Sequence, residues 1–523
     1  MKARTLAGAT AAVAAVTLAS RVVGFGRVGV LARTLGTSCV GDTYQAANAV
    51  PNVVFEVVAG GALASLVVPL LAGAVASGDR EAASRTASAL LTWTVAVLTP
   101  VALLGMLLGP TLMRALVGAD PRCGRPMLDV GGRMLVVFMP QVVLYGVGIV
   151  LAGVLQTHRR FLGPALAPLL SSLVVISAYL LYAASGTTTL DRLSRGQELL
   201  LSVGTTLGVG VLSLGLLVPL RRCGLTLRPT WRFPTGLASR ARRLALAGIA
   251  GLAAQQVSLV VALRLAAHGT EGSVVVFQVA TALFLLPWAV LAVPVATTAF
   301  PSLAAAADLG QRREYADVAR RSLRGVLLAM LGGVALLVAV AEPAARVLAA
   351  GVPGPEQVDA LTRATVSFAP GLVGYGLLAL LGRALYAQGD ARTPAVATVT
   401  GWLLVTGADI ALVAGTHLDR VTALGLGNSV GMTVAGLLLL GGLVRAAPDA
   451  ARGVPRTAAA GLVGCVGAVA VAQLLPHGGG AVRSSLAAGL LLAVVTTVVY
   501  LGAVRLVDPS ALQSLREVEA ARG

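Results

Sequence analysis

The chain is 523 residues long, 57% hydrophobic and only 12% charged, with a mean hydropathy of +0.86. Soluble domains carry about 25% charged residues, so a water-soluble fold is excluded. The formal charge of +18 does not mark a nucleic-acid binder, because the basic residues sit in short breaks between apolar runs without an aromatic-studded module.

Apolar runs of about 20 residues, long enough to cross a hydrocarbon core of about 30 Å, recur from end to end. Aromatic residues make up only 4% and no stretch alternates with a ten-residue strand period, which leaves helices to satisfy the backbone in lipid. The expected fold is therefore all-α: a polytopic integral membrane protein. The basic start (Lys2, Arg4) and the apolar segment Ala7 to Leu18 imitate a signal peptide. The apolar character continues through arginines to Leu35 without a convincing cleavage site, so the segment reads as a first span. Cys39, Cys123, Cys223 and Cys465 are scattered without a C-x-x-C pair, so the pattern implies neither a disulfide framework nor a zinc site.

In chain order, the polar breaks delimit fourteen candidate spans near 7–34, 43–74, 86–109, 129–155, 162–184, 197–220, 244–267, 273–304, 322–348, 361–387, 393–415, 421–444, 457–475 and 483–504. With both termini placed in the cytoplasm, about 25 Lys/Arg fall inside and about 8 outside, the asymmetry of the positive-inside rule. The longest break, Arg221 to Arg243, holds Pro229 and Pro234 and reads as a cytoplasmic linker. An internal repeat supports a division there. The run from Pro69 is echoed from Pro301, about 230 residues later, and Pro140, Tyr145 and Gly146 recur as Pro370, Tyr375 and Gly376. Two parallel six-helix lobes follow, 1–225 with spans 1–6 and 226–447 with spans 7–12. Residues 448–523 add spans 13 and 14 and a cytoplasmic tail. Parallel repeats allow a site between them to alternate its access.

Ionisable residues inside spans cost about 2.5–3.5 kcal/mol each at the bilayer centre, so they are the informative ones. Span 1 carries Arg21 and Arg27, with Gly24 and Gly26 between them; span 2 carries Asp42 at its start and Glu56 deep inside, with Pro51 and Asn52 before it. Guanidiniums in a watery cleft suit a phosphate or diphosphate, because the planar fork donates in pairs and keeps its charge. The alternative is that Arg21 and Arg27 pair with Glu56 and Asp42 to hold the helices together. Arg264 in span 7 is either a cavity residue or a snorkelling one. Asp409 in span 11 is either a proton or cation coupling group or a hydrogen-bonded structural carboxylate. The glycine-rich runs lie inside apolar spans and suit helix packing better than phosphate binding. His158, His268, His417 and His477 have no partner spacing for metal binding or nucleophilic catalysis, so no enzyme is expected.

The run SRVVGFGRVGVLARTLG, followed by GDTYQAANAVPNVVFEVVAGGALASLVVPLL, closely resembles the start of the MurJ (MviN) family of lipid II flippases. The family's S-R-x-x-G-F-x-R signature stands at Ser20, Arg21, Gly24, Phe25 and Arg27, its aspartate at Asp42 and its Pro-Asn pair at Pro51 and Asn52; the F-E-V-V-A-G-G variant at Phe55 to Gly61 resembles the actinobacterial branch. The resemblance implies a fourteen-helix fold of the multidrug/oligosaccharidyl-lipid/polysaccharide exporter superfamily. It also implies translocation of an undecaprenyl-diphosphate-linked peptidoglycan precursor across the cytoplasmic membrane. Arg21 and Arg27 inherit diphosphate binding, supported by Ser20, Asp42 and Asn52. No cofactor is implied; the energy source is left between the membrane potential and a monovalent cation, for which Asp409 makes an incomplete site. Expected partners are the lipid-linked precursor, membrane lipids and cell-wall synthases. Departures from the family pattern stand at Val28, at Ala49 and Val50, and at Ala282 to Leu286, where a second-lobe arginine is missing and Arg264 is the candidate replacement. Two other readings stay open: an exporter of a different polyprenyl-linked glycan or a drug, and a non-transporting cell-wall scaffold.

Overall fold

The computed structural model describes residues 3–509 apart from 37, 58–66, 68–69, 72–73, 76, 119–122, 159, 187–188, 232–236, 350–354 and 480. Most of the second half of span 2, with Pro69, part of the linker and the last residues of the tail thus lie outside the described residues. Among the described residues the regular structure is helical throughout. Among the described residues twelve helices are long and apolar enough to cross a membrane, and the count is thirteen if a pair bent by 43°, Glu356–Phe368 with Gly371–Ala387, is taken as one span. The remaining span expected from the sequence, 43–74, begins as the helix Cys39–Phe55. The chain divides into two compact units, Met1–Val275 and Val276–Gly523.

The first unit contains α1 (Ala3–Thr34), α2 (Cys39–Phe55), α3 (Arg80–Leu107), α4 (Gly109–Val117), α5 (Gly124–Phe138), α6 (Gln141–Thr157), α7 (Leu162–Ala184), α8 (Arg195–Leu214) and α9 (Leu237–Ala267). Local signals set the helix starts. Asp79 caps α3 by accepting from the Ala82 N–H at 2.9 Å, and Ser194 with Gln197 forms a capping box on α8. Small residues let α7 and α8 close up: a Cβ at Gly208 would lie 2.5 Å from Val175, and one at Gly204 would lie 2.4 Å from Ala178. That is the packing use expected of a glycine-rich apolar run. Glu198, buried on α8, accepts three hydrogen bonds from Arg133 of α5 at 3.2, 3.1 and 2.8 Å and pairs with Arg195.

Past α8 the chain runs extended from Leu225 to Trp231 along α3. The N–H groups of Thr226, Arg228 and Thr230 donate to the hydroxyls of Ser84, Ser88 and Thr92 at 3.3, 3.0 and 3.0 Å. Four helical residues rise about 6.0 Å and two extended ones about 6.6 Å, so hydroxyls at every fourth helix position meet N–H groups at every second strap position. Pro229, which lacks an N–H, falls where no donor is needed. Trp93 closes the strap by donating its indole N–H to the Trp231 carbonyl at 3.1 Å.

The cysteine reading is corrected here. Cys39 and Cys123 form a disulfide with a Cα–Cα distance of 5.5 Å across 84 residues of sequence. Cys39 opens α2 and Cys123 directly precedes α5, and the packing of these helices brings the two together, which no local spacing announces.

The second unit holds α10 (Ser273–Pro287), whose first residues belong to the first unit, followed by α11 (Val293–Asp308), α12 (Arg312–Leu348), α13 (Pro355–Phe368), α14 (Gly371–Ala387), α15 (Arg392–Gly415), α16 (Arg420–Ala446), α17 (Val454–Gln473) and α18 (Val482–Val507). The last two helices pack on α12. Leu328, Leu331, Ala468 and Tyr500 share a core, and the Tyr500 hydroxyl donates to the Leu328 carbonyl at 2.7 Å. At one end of this contact Arg324 donates to Thr457 at 2.7 Å and to the buried carboxylate of Asp508 at 2.9 Å. The helix break after Pro140 in the first unit recurs after Pro370 in the second, each opening a helix of 17 residues.

Candidate functional site

Span 1 folds as one continuous helix, Ala3–Thr34, through Gly24 and Gly26. Arg21 is exposed, and with Ser20 and Thr17 it lines a cavity of about 520 Å³ between α1 and the start of α7. Gln156 adds an amide, while Phe161 and Pro164 supply an apolar wall. A guanidinium, a hydroxyl and an amide thus line one recess beside an apolar wall.

Arg27, not quite two turns further along α1, is half-buried. Its charge lies close enough to Tyr44, Tyr145 and Tyr179 to act on their hydroxyls. The Tyr44 hydroxyl is itself bonded to Tyr179 at 2.9 Å and Thr205 at 2.6 Å, and Tyr145 packs on Phe55 with ring centroids 4.5 Å apart. Next to Phe55, Glu56 is exposed, and α2 gives way there to a π-helical turn at Glu56 and Val57. Such turns place an extra residue in a helix and recur at functional sites. Among the described residues no ion pair joins Glu56 to Arg21 or Arg27.

Asp42 and Asn52 serve the backbone. The buried Asp42 carboxylate accepts from the Gly272 N–H at 2.9 Å and the Val275 N–H at 3.1 Å, at the start of α10. In return the Glu271 carboxylate accepts from the Cys39 N–H at 3.0 Å, at the start of α2. Each helix thus has its N-terminal N–H groups and positive dipole end met by a carboxylate from the other's neighbourhood. The Asn52 amide donates to the Asn48 carbonyl at 2.8 Å. Arg264, exposed near the end of α9, donates to the Ala115 carbonyl in the last turn of α4, where cations are favoured, and does not line the Arg21 cavity. Asp409 is buried in the second unit with its Oδ1 lacking a hydrogen-bond partner, and a Cβ at Gly427 would lie 2.0 Å from that oxygen.

The sequence profile described as lipid II flippase MurJ matches residues 31–498. The chain belongs to the MurJ family. A probable lipid II flippase MurJ of Rhizobium tropici is 28% identical over 384 residues, covering 72% of this chain and 70% of that protein. The lipid II flippase MurJ of Burkholderia cenocepacia is 28% identical over 398 residues, with 75% of each covered. Among solved structures, the fold is similar to a lipid II flippase MurJ in an inward closed conformation, with a TM-score of 0.76, 17% identity and coverage of 96% of this chain and 99% of that one. It is also similar to an inward-facing multidrug resistance MATE family transporter, with a TM-score of 0.68, 16% identity and coverage of 82% and 95%.

In this MurJ-family chain the structure brings Ser20 and Arg21 into one cavity and sets Arg27 beside the Tyr44–Tyr145–Tyr179 group. Tyr44, Tyr179, Glu271 and the pairing of Arg133 with Glu198 escape a reading by charge and motif, and Tyr145 stands out only through the internal repeat. The tyrosines sit singly in apolar runs, and the partners of Glu271 and Arg133 are distant in sequence.

Proposed function

We propose that this chain moves lipid II, an undecaprenyl-diphosphate-linked peptidoglycan precursor, from the inner to the outer leaflet of the cytoplasmic membrane. The observation that carries the reading is Arg21, exposed within a spanning helix to a recess of about 520 Å³ that also holds Ser20 and Gln156. An arginine left inside a bilayer without a polar ligand is costly. A diphosphate in that recess would receive the paired donors of the guanidinium, while the apolar wall suits the start of a polyprenyl chain. Arg27 and Glu56 extend the polar path along α1 and α2.

In this reading both termini are cytoplasmic, which puts the Arg21 recess on the inner side and the Asp42–Glu271 caps and the Cys39–Cys123 disulfide on the outer side. An oxidising exterior favours that disulfide. The reading is of transport without covalent chemistry, with access alternating between the two faces. Asp409, buried with an unpartnered oxygen, is the candidate for a coupling proton or monovalent cation. Cell-wall synthases that consume the flipped precursor are the natural protein partners. The scaffold alternative keeps one observation in its favour, since Arg264 is engaged by Ala115 and does not supply the missing second-lobe arginine. Expression in a strain depleted of its own lipid II flippase separates the readings: rescue of growth supports transport, and failure by a protein correctly inserted in the membrane contradicts it.

A further inference from the structure

The spacing that separates Pro69 from Pro301 also separates Glu56 from Trp288, so these residues hold the same register in the two repeats. The structure gives both the same uncommon backbone. Glu56 and Val57 are π-helical, and Trp288–Ala292 is a π-helical turn between α10 and α11. In both repeats the turn lies against the tyrosine that follows the repeated proline: Phe55, next to Glu56, packs on Tyr145 at 4.5 Å, and Trp288 packs on Tyr375 at 6.0 Å. The framework is repeated but its chemistry is changed. The first copy presents an exposed carboxylate, Glu56. The second presents rings, with Trp402 at 6.2 Å and Phe284 at 5.1 Å from Tyr375, each edge-on to it.

We propose that Trp288 and Trp402, braced by Tyr375, form a subsite that stacks on a sugar ring of the translocated lipid and so discriminates the glycan-bearing lipid from its bare carrier. The inference rests on the lipid II reading above. Both tryptophans are half-buried, unlike the fully covered Phe284, so part of each ring is left available. The Trp288 indole N–H donates to the Tyr375 carbonyl at 3.2 Å, which fixes the ring before any ligand arrives. A preset aromatic face suits the C–H face of a pyranose, whose hydroxyls then point to the rim. A diphosphate has no use for such a surface, and a flexible polyprenyl tail needs no preset ring.

The chain has four tryptophans, and the other two, Trp93 and Trp231, lie together on the first unit. In a Trp93→Phe/Trp231→Phe background, intrinsic fluorescence therefore reports on the subsite alone. Purified protein in nanodiscs is titrated with lipid II and, separately, with undecaprenyl diphosphate. Lipid II is expected to change the emission, and undecaprenyl diphosphate to bind without changing it. Trp402→Leu and Trp288→Leu, each followed by competition binding, are expected to weaken lipid II by about 3- to 10-fold and leave undecaprenyl diphosphate unchanged. Trp288→Tyr, which keeps an aromatic face, is expected to recover most of the loss. Equal emission changes with both lipids, or leucine variants that bind lipid II as tightly as the parent, would overturn the subsite. If neither lipid binds the parent protein, the flippase reading itself fails and takes this inference with it.

Discussion

The strap along α3 offers a sharp quantitative test. Replacing Ser84, Ser88 and Thr92 with alanine removes the acceptors of three backbone N–H groups at 3.3, 3.0 and 3.0 Å while leaving the helix-forming tendency of α3 intact or improved. Each such bond contributes about 0.5–1.5 kcal/mol net, so docking of the strap should weaken by about 1.5–4.5 kcal/mol. With about 1.4 kcal/mol per factor of ten, the open fraction should rise at least about tenfold. Hydrogen exchange followed by mass spectrometry reads this directly at the amides of Thr226, Arg228 and Thr230, which are protected only while the strap is docked. Trp93→Phe should add to the effect, since it removes the indole donor to Trp231. Unchanged exchange across residues 225–231 in the triple variant would refute the ladder as the device that holds the linker.

Other consequences can be checked separately. Thiol titration of unreduced, detergent-unfolded protein should find only Cys223 and Cys465, and prior reduction should add Cys39 and Cys123; four reactive thiols without reduction would contradict the disulfide. Asp42→Ala leaves the buried Gly272 and Val275 N–H groups without their acceptor, a loss of about 1–3 kcal/mol for each, and thermal unfolding in detergent should occur at lower temperature than for the parent, with Asp42→Asn intermediate. Asp508→Ala removes the carboxylate paired with Arg324, which is largely shielded from solvent and keeps its bond to Thr457, and breaking such a pair costs at most about 3–5 kcal/mol, the range for complete burial; protease sensitivity between α17 and α18 should rise, and an unaltered digestion pattern would count against their docking on α12 through this pair.

The all-helical membrane fold was legible because hydrocarbon thickness imposes span length and the cost of buried charge imposes sparsity, and both leave marks that survive without an alignment. Arg21 and Glu56 stand out in the sequence for the same reason, as charges inside spans. The placement of Asp42 was not: its acidity was visible, but its partners are backbone N–H groups more than 200 residues away, and backbone groups carry no residue signature. The Cys39–Cys123 pair was missed because pairing depends on the packing of α2 against α5 and not on spacing. The strap was half visible, since Pro229 and Pro234 marked a linker, whereas Ser84, Ser88 and Thr92 looked like ordinary small residues until the extended segment supplied the other half of the match. The π-helical turn at Trp288 left no trace in composition, because one extra residue in an apolar helix alters hydrogen bonding without altering hydropathy.

The most direct test of the central claim is leaflet exchange by the purified protein. Vesicles reconstituted with the chain and loaded with a fluorescent lipid II analogue in one leaflet should deliver that lipid to the other, measured by the fraction open to an added quencher. Arg21→Ala and Arg27→Ala should reduce delivery to the level of protein-free vesicles, and Arg21→Lys should recover little, because an ammonium cannot reproduce the paired donors of the guanidinium. Delivery by both alanine variants at the parent rate would contradict the assignment of the first-unit arginines as the anion receptor.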